Sequence, residues 1–150
     1  MKDRRLAYAP DIEERELFEL AARLKALPEP GFFEFETKKV LQDFFKTVGE
    51  ELRIAGLAKS PSRAPGLEAG GLRIIDALAR TAVLAELGDP EAPALILLAD
   101  IDALPTPGAP GGMAHSCGHY AQTAVMASVF KALAKAGLPE RSGKIGRAHV

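Results

Sequence analysis

The only cysteine of the chain, Cys117, stands between two of its three histidines, His115 and His119, in the stretch "GMAHSCGHYAQT". Thiolate and imidazole are the side chains that zinc and similar borderline divalent ions take as ligands. Cys117 and His119, two residues apart, can both reach one such ion. Upstream, "LADIDALP" ends an apolar run with Asp100 and Asp102. A period of two puts both carboxylates on one side of an extended chain. An acid there can bind the metal directly, or it can fix the tautomer of a ligand histidine. Two other chemistries use the same residues. Cys117 could act as a nucleophile with a histidine base, although His119 is an awkwardly close partner and no oxyanion arrangement is evident. Or the loop could belong to a short metal-binding or interaction protein without catalysis. The bland readings are a cysteine that is simply a small core residue and acids that are simply solvated.

These residues need elements to position them. After Asp11, a plausible N-cap, "IEERELFELAARLKAL" puts Leu17, Leu20, Ala21, Leu24 and Leu27 on one helical face, and "PEPG" ends it. Val40, Leu41, Phe44, Phe45, Val48 and Leu52 repeat at helical spacing in a second helix. "AKSPSRAPGLEAGG" reads as a loop. "RTAVLAELG" and "ALILLADIDAL" read as strands that could pair with each other, the second buried on both faces. A Pro/Gly-rich loop, "PTPGAPGG", leads into the Cys–His motif. A third helix follows, with Val125, Met126, Val129, Phe130 and Leu133 on its core side and Gly137 as C-cap. The motif then sits where a loop opens onto a helix N-terminus, whose partial positive charge favours a thiolate. Helix, helix, strand, strand, loop, helix is the start of an α/β domain, with one more strand expected after Gly143.

With 150 residues the chain is long enough for one domain with a core. A net charge of -1 argues against a nucleic acid or an anionic membrane as partner. No apolar run reaches membrane-spanning length, and the basic N-terminal residues precede no signal-like apolar segment. One cysteine makes no internal disulfide, which suits a reducing, cytoplasmic setting.

Taken together, "LLADIDALP" followed by "GGMAHSCGHYAQTAV" resembles the paired signature of the aminoacylase and carboxypeptidase G-type metallopeptidases and amidohydrolases. More narrowly it is similar to their amidohydrolase branch, which includes N-acyl-amino-acid and aminobenzoyl-glutamate hydrolases. "PEPGFFEFETKKVLQDFF" is similar to that family's N-terminal helix region, so the resemblance spans roughly residues 10 to 140. It implies that Cys117 and His119 are metal ligands and that Asp102 orients a ligand and tunes the metal at the catalytic centre. Asp100 stands where other branches carry a ligand histidine and is taken with the metal set. His115 matches the motif's first histidine, a second-shell or substrate-side group. The implied fold is a zinc-peptidase-like α/β catalytic domain with an inserted lid used in homodimerisation. The implied chemistry is hydrolysis of an amide beside a carboxylate, in an N-acyl amino acid or peptide-like substrate. Two divalent ions (zinc, manganese or cobalt) and a glutamate base would carry it. The chain departs from the pattern at Tyr120, where Asp or Asn is usual, at Gln122 in place of a histidine, and at Leu98 in place of an arginine.

Members of that family run to several hundred residues, with the general base, further ligands and lid beyond position 150. Residues 1–143 are therefore expected to be the N-terminal part of a catalytic domain, inactive alone. "KIGRAHV" resembles translation of a sequencing adapter, so residues 144–150 are expected to be a non-native tail and His149 to have no role.

Overall fold

The computed structural model describes residues 12–57, 67–69, 72–75, 80–88, 94–136 and 144–148. Three helices and a five-stranded sheet share one hydrophobic core. Helix α1 (Glu14–Lys25) carries acids in its first turn and Arg23 and Lys25 in its last, as the helix dipole favours. It buries Leu20 and Leu24. Its N-cap is Glu13, and Asp11 lies outside the described residues. Helix α2 (Phe35–Ile54) buries Leu41, Phe44, Phe45, Val48 and Leu52 of the stripe read from the sequence, and Val40, its first member, is partly buried against the same core. Phe45 meets Phe44 and Phe130 edge-to-face, with centroids 5.5 and 5.4 Å apart.

The sheet runs β1 (Leu67–Ala69), β2 (Leu72–Ile75), β3 (Leu84–Gly88), β7 (Lys144–Ala148), β4 (Ala94–Leu98) in spatial order. All neighbours are antiparallel except β4 and β7, which run parallel. Leu72, Ile74 and Ala85 face the helices and are buried. Arg73 and Glu86 alternate onto the other face and pair with each other.

Several expectations need correction. The segment read as a loop contains β1, and β2 was not foreseen. The two apolar runs do not pair, because β7 lies between them. That strand occupies the place expected after Gly143, and it is made from residues of the segment expected to be a non-native tail. Backbone pairing on both sides can hold a sequence of low strand propensity. Nor is β4 buried on both faces. Among the described strands it lies at the edge, and Leu95, Ile96 and Leu98 are each more than half exposed. An apolar run measures how much a strand can bury, not how many layers cover it.

A two-stranded hairpin of β5 (Leu104–Pro105) and β6 (Met113–Ala114) then brings the chain back to the sheet's end. Helix α3 (His119–Ala136) follows, and it turns differently from the expected stripe. Its inner face is Thr123, Ala124, Ala127, Phe130 and Ala134, while Val125 is exposed and Met126, Val129 and Leu133 are only partly covered. Small residues let α3 approach α1 closely, so the larger apolar side chains fall at its margins. Gly137 and His149 lie outside the described residues.

Candidate metal centre

Beyond Leu98 the chain stays extended, and alternation continues through Asp100, Ile101 and Asp102. Ile101 turns into the core at 1% exposure, so both carboxylates point the other way. Helix α3 comes up beside them. Its first turn is built on Gly118, whose φ of 81° lies in the left-handed region and whose carbonyl accepts the N–H groups of Ala121 and Gln122. That turn makes His119 the first helical residue.

His119 is the centre of the arrangement. Its Nδ1–H donates to Asp102 Oδ1 at 2.8 Å and lies 3.2 Å from the Asp102 carbonyl. This fixes the tautomer and leaves the Nε2 lone pair free. Nε2 faces Asp100 Oδ2 at 3.9 Å. A nitrogen lone pair and a carboxylate oxygen turned toward each other are complementary to a cation between them. Ligands of one tetrahedral ion stand on the order of 3.3 Å apart, so the 3.9 Å between these two atoms is somewhat wider than a bound ion would set. Asp102, hydrogen-bonded to the far nitrogen, makes the carboxylate–histidine pair that orients metal-ligating imidazoles. The donor types are those that borderline divalent ions take, and among the described residues they number two and not a completed set.

Two further contacts hold the acids in place, and the sequence reading missed both. Thr123, one turn after His119, donates its hydroxyl to the Asp100 carbonyl at 2.5 Å. Residues 119 and 123 share a helix face, and Asp102 and Asp100 share a side of an extended chain, so the i, i+4 spacing matches the i, i−2 spacing. The His-x-x-x-Thr interval was the available signal. On the other flank, Ala103 N–H donates to the Glu29 carbonyl at 2.7 Å. The Glu29 carboxylate meanwhile accepts the N–H groups of Glu36 and Thr37, at 3.0 and 2.8 Å. It caps α2 from outside the helix, where the N-cap residue Glu34 makes no side-chain cap.

The remaining expected residues stand apart. His115 donates Nε2–H to the Leu27 carbonyl at 3.0 Å and packs against the Tyr120 ring. It ties the motif to the turn after α1, and its Nδ1 is buried without a partner among the described residues. Cys117 is a free, exposed thiol. Among the described residues no three His, Cys, Asp or Glu side chains are placed to hold one ion. The structure thus brings Asp100, Asp102 and His119 together, and does not bring Cys117 into a completed ligand set. No described helix is long and apolar enough to cross a membrane.

No family model and no curated protein matches the chain. Solved structures do. One is the Bacillus subtilis YXEP protein, described as a dinuclear metal-binding peptidase from the M20 family. It matches with a TM-score of 0.63 and 24% identity over 90% of this chain and 34% of its own. Another, from methicillin-resistant Staphylococcus aureus and assigned as an aminohydrolase, gives 0.62 and 23% over 91% and 32%. The chain spans about a third of the length of these structures. Over that third, it has the α/β fold of M20 peptidases.

Proposed function

We propose that this chain is the N-terminal part of a metal-dependent hydrolase of the M20 type, cleaving an amide bond in an N-acyl amino acid or peptide-like substrate. The observation that carries the reading is the contact from His119 Nδ1–H to Asp102 Oδ1 at 2.8 Å, with Nε2 turned toward Asp100. His119 and Asp100 would hold a divalent metal, with Cys117 joining when the rest of the ligand set is present. When bound, the metal (two ions by the family resemblance; zinc, manganese or cobalt) polarises the amide carbonyl and lowers the pKa of a water. Asp102 keeps His119 in the ligating tautomer and fixes the orientation of its ring. His115, anchored on Leu27, would hold the motif loop against the turn after α1 on the substrate side. The description of the Bacillus subtilis structure as dinuclear supports the metal reading. The longer protein would be a cytoplasmic homodimer.

The test is to read the source DNA past the codon for Gly143 and to assay the longer product with N-acyl amino acids. Hydrolysis should be lost with chelator and restored by zinc, manganese or cobalt. Hydrolysis indifferent to chelator would overturn the proposal, as would a frame that ends at Val150. The 150-residue chain itself should show no activity, because the described residues bring two donors and an orienting carboxylate to the centre and no third ligand.

The second reading, a short metal-binding protein without catalysis, is favoured by that same two-donor set. It would be supported by metal binding in a protein whose reading frame is complete at residue 150.

A further inference from the structure

Apolar rings crowd one exposed turn. Phe32, Phe33 and Phe35 are 74%, 52% and 39% exposed, within four consecutive positions before and into α2. Isolated exposed apolar residues are ordinary, but a cluster of large rings marks a contact surface. The guanidinium of Arg80 lies over two of them, 4.6 Å from the Phe33 centroid and 5.1 Å from that of Phe35. Neighbouring contacts fix that placement. Lys38 Nζ donates to the Arg80 carbonyl at 3.4 Å, and the next residue, Thr81, donates its hydroxyl to Glu34 at 2.5 Å.

Charge decides what this surface would take. Each carboxylate near the turn already has a partner. Glu29 holds the N–H groups of α2, Glu34 holds Thr81, and Glu36 pairs with Lys39. The Arg80 guanidinium has no hydrogen bond or ion pair among the described residues, only the two rings. A guanidinium over aromatic faces spends none of its N–H donors on the rings' edges, and its planar fork matches a carboxylate with two parallel hydrogen bonds. The rings beside it offer edges and faces to an aromatic body.

The backbone adds a separate sign. Phe32 is the one non-glycine residue with positive φ among the described residues, at 66°. It occupies the third position of the Pro30–Phe33 turn, closed by Phe33 N–H on the Pro30 carbonyl. Glycine or asparagine suits that position, and a bulky side chain there is strained. Such strain is typical of residues kept for what they contact.

We propose that Phe33, Phe35 and Arg80, flanked by Phe32, form a binding site for an aromatic carboxylate, with the carboxylate on the guanidinium and the ring against the phenylalanines. The site is independent of the hydrolase reading. The test is a ligand-observed NMR titration of the full chain with phenylacetate. Chelator is present throughout, to keep the carboxylate off any metal. Phenylacetamide and cyclohexylacetate are the comparison ligands. Phenylacetate should bind at least tenfold more tightly than either, and its binding should weaken as salt is raised. Arg80→Gln should cost at least tenfold with phenylacetate and nothing with phenylacetamide. Phe33→Leu should erase the preference for phenylacetate over cyclohexylacetate. Arg80 and Phe33 are exposed, so circular dichroism should report an unchanged fold for both variants. Equal binding of phenylacetamide, or phenylacetate affinity unchanged in Arg80→Gln, would overturn the proposal.

Discussion

At the scale of single residues, the metal reading depends on one hydrogen bond. Removing the Asp102 carboxylate frees the His119 ring to rotate and to change tautomer. Loss of such a partner weakens metal binding by about 10- to 100-fold. Asp102→Ala should therefore shift the zinc affinity of the chain by that factor, measured by competition with a chromophoric chelator. An unchanged affinity would mean that His119 is not a ligand. Backbone conformation makes a second prediction. Phe32 sits at φ 66° without a glycine's freedom. Phe32→Gly should stabilise the chain by about 1 kcal/mol, seen as a higher urea midpoint, because a left-handed conformation costs about that much for a residue with a Cβ. At Gly118 the sign reverses. A Cβ there meets no atom within 4 Å, so the cost of Gly118→Ala is conformational, about 1 kcal/mol, and not steric. The candidates Asp100, Asp102 and His119, which the structure brings together, stood out at this scale because the histidine falls soon after the acid pair in the sequence. The family resemblance separated the roles of Asp100 and Asp102, but nothing in the letters says which nitrogen of His119 faces which acid.

At the scale of elements, α3 and the 100–103 segment hold each other through the paired contacts from His119 and Thr123. Thr123→Val keeps the shape but leaves the Asp100 carbonyl without that donor, at a cost of about 1–3 kcal/mol. Thermal unfolding should show a lower midpoint, and zinc affinity should fall with it if the segment positions Asp100. Helices were easier to read than strands. The α2 stripe stands in the sequence because large apolar residues recur every three or four positions. In α3 the buried face is mostly alanine and threonine, so the larger side chains at its edges misled the reading. Strand β2 is four residues long, with Leu72, Ile74 and Ile75 as its apolar members, β1 is a three-residue strand paired with the adjacent β2, and β7 depends on β3 and β4, which are distant in sequence. Local pattern carries no record of such pairing.

At the scale of the whole molecule, the three helices are joined by charge as well as by the core. Lys131 of α3 has a side chain only 5% exposed, yet its ammonium lies 2.7 Å from both Glu16 oxygens in α1 and 3.0 Å from Glu51 in α2. Lys135 bridges Glu13 and Glu51 at 2.7 and 2.9 Å. Lys131→Met should destabilise the chain by about 3 kcal/mol, because it leaves half-buried carboxylates facing one another. The same cluster sets a pH profile. For Glu51, burial alone would raise the pKa, but hydrogen bonds from Lys135 and Lys131 outweigh it and hold it below the ordinary 4.5. The hydrogen bond from Lys135 lowers that of Glu13, and the bonds to Glu13 and Glu51 raise that of Lys135 above its ordinary 10.5. A lowered carboxylate contributes stability above its unfolded pKa and loses it as pH falls through the folded value. A raised lysine contributes below its unfolded pKa and loses it as pH rises through the folded one. The network's contribution should therefore be flat between about pH 4.5 and 10.5 and fall away outside that window on both sides. Glu51→Gln removes the carboxylate that both lysines share. Its urea midpoint should sit below that of the parent across the plateau, and the gap should narrow as pH drops below 4.5, where the parent's own Glu51 takes up a proton. A gap that stayed constant into acid would mean that Glu51 acts by packing and not by charge.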